Sequence, residues 1–425
     1  VERQLLAIFS GCDNAPMKSF LPLIREEWRL LLFGFVMTFG SSLGQTYFIG
    51  LFSAEIRHDL NLSHGDFGGL YSAATLASAI LLLWTGSLID RMQLRHFAYM
   101  VTAGLALACA LAAISNGPLL LFFALLALRH LGQGLMSMAG GTTVVRYLDH
   151  QKGKANALGG MGYSVSEALL PSLVIATIAL LGWRQSWLLW GAGLAVLLPL
   201  LTRWLLTGHQ LRHEHYLQQL DGQANGTATS QRRQWTRAEV VRDPFFYLFL
   251  PVLLAQPLLF TGFMFHQVQL VTEKGWSLTA WGGLFLFYAL VNTACKLFAG
   301  ILVDRFGAIR LVPLICLPTG AGLLALAMGN GFYIAVIYMG LLAVSVGIYS
   351  TLASPFFSEM YGTLHLGSIK SLTTAAMVFA TAIAPVVMGW LIDAGVSIGA
   401  MAVGGAVYTV IASGLAFIAR ARCGR

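Results

Sequence analysis

Twelve stretches of the chain are apolar over the length that crosses a bilayer, and mostly short polar loops separate them. A hydrocarbon core of about 30 Å needs about 20 apolar residues in a helix. The predicted spans are 29–53, 67–89, 96–114, 118–145, 155–181 and 186–206, followed by 244–271, 281–303, 310–329, 332–356, 372–392 and 398–419. Backbone groups at that depth have no water to bind, so each span is expected to be helical. The one long polar segment, 207–243, is rich in Gln, His, Arg, Gly and Thr and reads as a linker. The expected architecture is therefore an all-α membrane protein, with a six-helix domain over 17–206, a linker over 207–243 and a second six-helix domain over 244–419. Residues 1–16 hold no apolar run long enough for a signal peptide. Met17-Lys18-Ser19 looks like the more natural start, so the preceding stretch reads as an upstream extension.

The two sets of spans repeat one another. Gly86-Ser87-Leu88-Ile89-Asp90-Arg91, running on to Arg95, closes the second span. Gly300-Ile301-Leu302-Val303-Asp304-Arg305, running on to Arg310, closes the eighth, 214 residues later. Gly68-Gly69-Leu70 returns as Gly282-Gly283-Leu284 at the same offset, Ser63 as Ser277 and Pro171 as Pro385. A shared offset over such a length marks a duplicated unit.

This repeated loop resembles the signature of the major facilitator superfamily, G-x-x-x-D-R-x-G-x-[RK]. The second copy carries Gly307 and Arg310 in its tail, whereas the first has Gln93 where the family has glycine. The resemblance spans nearly the whole chain. It implies a transporter and not an enzyme, with no cofactor, three-helix inverted repeats within each half, and rocking alternate access around a midplane site. Gly86 and Gly300 are expected to let a neighbouring helix come close, as small residues do in membranes. Asp90, Arg91, Asp304 and Arg305 are expected at the water boundary.

Charged residues are 10% of the chain and apolar residues 57%, against about 25% charged in soluble domains, so lipid must be the solvent. A net charge of +8 would suit nucleic acid, but its placement argues otherwise. Most of the 26 Lys and Arg fall in the N-terminal segment, the even-numbered loops, the linker and the C-terminus; the odd loops hold only Arg57, Arg184 and Lys274. By the positive-inside rule both termini and the linker are cytoplasmic, in the inner membrane, and a monomer is expected. The five cysteines are scattered and show no metal-ligand spacing. No nucleotide-binding loop is present: Gly159-Gly160-Met161-Gly162 lies inside an apolar run with no strand before it. Transport must then run on a gradient.

Few ionisable groups fall inside the spans: Glu167, Arg129 and Lys296, with the histidines His130 and His266. A charge at bilayer depth is costly, so each is a candidate for function. Lys296 shares a helix face with Asn292 and Tyr288, four residues apart. Their repeat counterparts are Leu82, Ser78 and Ala74, so the stripe belongs to one half only. Arg129 shares a face with Gln133 and Ser137, and Tyr163 with Glu167, whose counterpart is Thr381. Counted from Pro118 and from Lys154, Arg129 and Glu167 lie about 17 Å and about 20 Å into the core, at one depth. They are expected to form a proton switch or a fixed bridge. His130 is expected to pack, and His266 to sit at a rim or gate.

Asn292-x-x-x-Lys296 resembles the eighth-helix pattern of monocarboxylate transporters and their oxalate/formate relatives, with lysine for arginine. Arg146-Tyr147 and Lys152-Gly153-Lys154-Ala155 resemble the same branch. Its first-helix motif is replaced by Gln45-Thr46-Tyr47-Phe48, which makes Gln45 and Tyr47 candidate substrate contacts. The R-x-x-Q-G pattern of proton-coupled members resembles Arg129 to Gln133, shifted by one. The expected substrate is a small organic anion, a carboxylate, because Arg129 and Lys296 outnumber Glu167, and the expected coupling ion is the proton. A proton-antiporting exporter with a permissive aromatic cavity is the alternative.

Overall fold

The computed structural model describes residues 21–86, 88–147, 152–208, 235–362 and 366–423, and among these it is helical throughout. Among the described residues eleven helices are long and apolar enough to cross a membrane, and they correspond to the second to twelfth predicted spans. Large apolar side chains such as Leu83, Leu107, Leu180 and Leu297 stand exposed on the outside, as a lipid-facing surface requires.

The first predicted span, 29–53, is not one helix. It runs as Leu21–Gly40, a tight 3-10 turn Ser41–Gly44, and two short helices, Thr46–Leu51 and Ser53–Leu60. Gln45 stands between them in an extended conformation. The fourth span is irregular too: Pro118–Ala127 passes through a π-helical stretch, Leu128–Met136, into Ser137–Tyr147. These irregular stretches pack on each other. A Cβ on Gly44 would collide with the backbone of Leu128, and would lie 2.7 Å from Gln133 N and 2.9 Å from Gly132 Cα. Only glycine allows this approach, and small residues at helix contacts serve the same end elsewhere in membranes.

The duplication is visible in the packing. The second span, His64–Thr85, lies along the eleventh, Leu366–Asp393, and the eighth, Leu278–Phe306, along the fifth, Lys152–Leu181. Each pair is the other shifted by the sequence offset. Gly68 meets the carbonyl of Pro385, and its counterpart Gly282 meets Ser172, next to Pro171. Gly68 and Gly282, one of the residue pairs that reveal the repeat in sequence, thus lie where the halves touch. The seventh span, Pro244–Phe265, also meets the first. There Gln267, fully buried, donates through Nε2 to Tyr47 O at 2.8 Å and to Met264 O at 2.9 Å. Its Oε1 accepts from Trp281 Nε1 at 3.0 Å.

The two loop copies differ in one instructive way. Gly307 has φ +79°, a conformation that favours glycine, and the carboxylate of Glu359 caps the turn after it by accepting from Ala308 N and Ile309 N at 2.9 and 3.1 Å. Gln93, its counterpart, has φ −60°, which any residue adopts. The missing glycine in the first copy reflects a turn that does not need one. The expected close approach at the leading glycines is not found. Nothing comes within 4 Å of a Cβ at Gly300, and at Gly86 the nearest side chain, Met138, is at 3.4 Å. Arg305 is exposed and lies over the Phe306 ring at 5.4 Å. The side chains of Asp90, Arg91 and Asp304 lie outside the described residues.

Candidate functional site

Where the first, fifth and eighth spans come together, polar side chains gather deep in the apolar bundle. The 3-10 turn turns Ser42 towards the fifth span, and its Oγ lies 2.5 Å from Ser166 Oγ. Tyr47 OH donates to the same Ser166 Oγ at 3.4 Å, and Tyr163 OH bonds Ser137 Oγ of the fourth span. Glu167 follows Ser166 on the same helix. Its carboxylate is in electrostatic reach of Tyr47, Tyr163 and, from the other half, Tyr288 and Lys296.

The eighth span presents the stripe expected of it. Asn292 Nδ2 donates to Tyr288 OH at 3.5 Å, one turn away. Asn292 is 1% exposed and its Oδ1 has no partner, a costly state for a buried amide that a ligand or water would relieve. Lys296 is half-buried, one turn further along, and among the described residues it makes no ion pair within 4.0 Å. The aromatic wall is continuous: Tyr47 faces Phe285 at 6.1 Å between centroids, and Phe285 and Phe260 each stand 6.3 Å from Tyr288.

Arg129 is placed elsewhere. It is 3% exposed; its Nη1 donates to Gly44 O at 3.0 Å and its Nε to Thr75 Oγ1 at 3.1 Å. The guanidinium lies 5.0 Å over the ring of Tyr71, whose OH bonds Thr46 Oγ1 at 2.7 Å. Its electrostatic neighbour is Tyr71, and that of Glu167 is Lys296. The structure thus brings Glu167 together with Lys296 and not with Arg129. The two residues are expected to pair, but each has a different neighbour. Arg129 serves the broken first span, supplying one donor to the Gly44 carbonyl at the interruption. Gln133 is half-buried beside that break, where its backbone N crowds Gly44, and Gln45 is the half-buried residue that ends the turn.

The histidines divide as well. His130 lies within the first half, with Nε2 3.2 Å from Thr85 Oγ1 and Nδ1 3.4 Å from Ser78 O. His266 is at the contact between halves: Nε2 is 2.9 Å from Pro385 O, and its ring is 5.8 Å from that of His64. Ser42, Ser166 and Gln267 were not candidates from the sequence. Serines in an apolar run carry no signal of their own, and Gln267 gains its role only from the neighbour it meets.

The model of the major facilitator superfamily matches residues 34–358, well over half of the chain. Among curated proteins none matches by sequence. Among solved structures the chain is similar to a bacterial homologue of the human lysosomal transporter Spinster, in an inward-facing and unoccupied conformation. That match has a TM-score of 0.65 at 12% identity, over 93% of this chain and 97% of the other. It is also similar to the nucleoside transporter NupG, with a TM-score of 0.66 at 14% identity, over 93% and 99%. At such identities the likeness is one of fold. Repeated loop, duplicated helix contacts and family match agree, and the chain belongs to the major facilitator superfamily of membrane transporters.

Proposed function

We propose that this protein carries a small organic anion, a carboxylate, across the cytoplasmic membrane together with protons, as a monomer working by alternating access. The observation that carries the reading is that Glu167 and Lys296, one from each half, lie within electrostatic reach of one another without a direct ion pair. While Glu167 is ionised the two charges offset each other. A proton on Glu167 leaves Lys296 uncompensated, and an incoming carboxylate then restores neutrality through a charge-assisted hydrogen bond. Proton and anion each make room for the other, which is what symport requires. The Asn292 amide N–H and Tyr288 OH, one and two turns along, donate to the bound anion and orient it, and Tyr47 closes the site from the first half. Arg129, Gln133 and Gln45 act from the first span's break, which holds Tyr47 in place.

Uptake into proteoliposomes across a panel of carboxylates, with and without an inward proton gradient, tests this. Gradient-dependent accumulation of at least one carboxylate is expected. Accumulation of organic cations against a proton gradient instead would replace it with the exporter reading. Orientation is tested separately in intact cells. With both termini and the linker cytoplasmic, Gly226→Cys should resist an impermeant maleimide and Gly331→Cys should react.

A further inference from the structure

Asp393 is the last residue of the eleventh span, where the helix dipole is negative and a carboxylate is unfavourable. Its partners lie in the other half of the molecule. Oδ1 accepts from His64 N at 3.0 Å and Oδ2 from Gly65 N at 2.7 Å, the first two N–H groups of the second span. That helix has its own capping box, in which Ser63 Oγ accepts from Asp66 N and Ser63 N donates to Asp66 Oδ2. Phe67 N bonds Ser63 O. Asp393 therefore supplies the two acceptors that the box leaves out, and every first-turn donor is satisfied only while the halves are together.

The surroundings fit a contact that closes and opens. A Cβ at Gly389 would lie 2.5 Å from His64 O, so the backbones meet directly there, and one at Gly65 would lie 2.5 Å from the Trp390 ring, which packs over it. Arg57, His64 and His266 are the other charged or titratable groups in electrostatic reach of the carboxylate. Asp393 is itself exposed, so water can take over its bonds when the halves part. The repeat offers a comparison. The equivalent contact pairs the fifth span with the eighth, and there the counterparts of Asp393, His64 and Gly65 are Ala179, Leu278 and Thr279. The eighth span caps itself through Ser277. The carboxylate belongs to one of two otherwise equivalent seams.

We infer that Asp393 is a latch that holds this end of the transporter shut by capping the second span of the opposite half, and that it must let go for this end to open. The inference rests on alternating access and not on the identity of the substrate. Spin labels at Glu55→Cys and Ala400→Cys, exposed positions of opposite halves at this end, report it by pulsed distance measurement without substrate. The five native cysteines would first be replaced by alanine. Asp393→Ala should raise the long-distance population several-fold, and Asp393→Asn, which keeps one acceptor, should raise it less. If Asp393→Ala does not fold, Asp393→Asn carries the test alone. A distance distribution unchanged from the parent overturns the latch and leaves the carboxylate uptake assay unaffected.

Discussion

Arg129 Nη1 donates to the carbonyl of Gly44 at 3.0 Å, so one arginine of the fourth span holds the break in the first. The same side chain reaches Thr75, which ties the second span to the break. Removing the guanidinium leaves a buried carbonyl and a hydroxyl without their charged donor. Arg129→Met should cost about 3 kcal/mol and lower the melting temperature in detergent along with transport. Arg129→Lys should recover little, because a single ammonium cannot reproduce the planar fork. A normal melting curve for Arg129→Met would remove the arginine from this role.

The glycine contact beneath that bond gives a second measurement. Gly44→Ala should destabilise by about 1–3 kcal/mol, because a methyl there meets backbone that cannot rotate away. Gly160→Ala has nothing within 4 Å and should be neutral or stabilising by up to about 1 kcal/mol. Comparable thermal shifts for the two would mean that the first and fourth spans do not pack as closely as described.

Lys296 and Glu167 should separate binding from coupling. Lys296→Gln should abolish anion binding while expression and melting stay near normal, and Lys296→Arg should keep part of the activity. Glu167→Gln keeps the shape but cannot cycle a proton, so pH-driven accumulation should vanish while substrate-for-substrate exchange survives. Retained accumulation in Glu167→Gln would move the proton site elsewhere. Normal transport by Lys296→Gln would end the anion reading.

At the water boundary, Trp183 Nε1 donates to Asp59 Oδ2 at 2.8 Å, and this bond, foremost among several contacts, holds the Asp59 carboxyl below its ordinary range. A depressed carboxyl stabilises the fold above its unfolded value of about 3.9 and loses that contribution as pH falls through the folded value. The side chain is 39% exposed, so the contribution is about 0.5 kcal/mol after solvent screening. Asp59→Asn should therefore melt slightly below the parent at pH 7, and the gap should narrow as the pH is taken below about 4. A gap that persists unchanged at low pH would mean that the bond does not depend on the charge.

The eleven regular spans and the duplication were legible because length, hydropathy and a fixed offset are properties of sequence alone. The Lys296, Asn292 and Tyr288 stripe was legible for the same reason, since four-residue spacing fixes a helix face. The partner of Glu167 was not. A helical wheel says which residues share a face but not which helix that face meets. The break at Ser41 to Gln45, which claims Arg129, depends on a glycine contact between two spans. Asp393 did leave a trace, as an acid at the wrong end of a helix dipole, but its meaning required the helix it caps.

Gln267 joins three elements with one amide: the carbonyl of Tyr47, its own helix turn through Met264, and the indole of Trp281 at the head of the eighth span. The adjacent His266 stands 5.8 Å from the His64 ring and 2.9 Å from Pro385 O, so the seam that Asp393 latches and the residues around Glu167 are joined through neighbouring residues. Reciprocity follows. Whatever free energy a bound molecule gains from one arrangement of Tyr47 and the eighth span is the amount by which it biases that end, and biasing that end returns the same amount to binding. A single labelled pair across the seam can therefore serve as a binding assay for any compound that prefers one arrangement, transported or not.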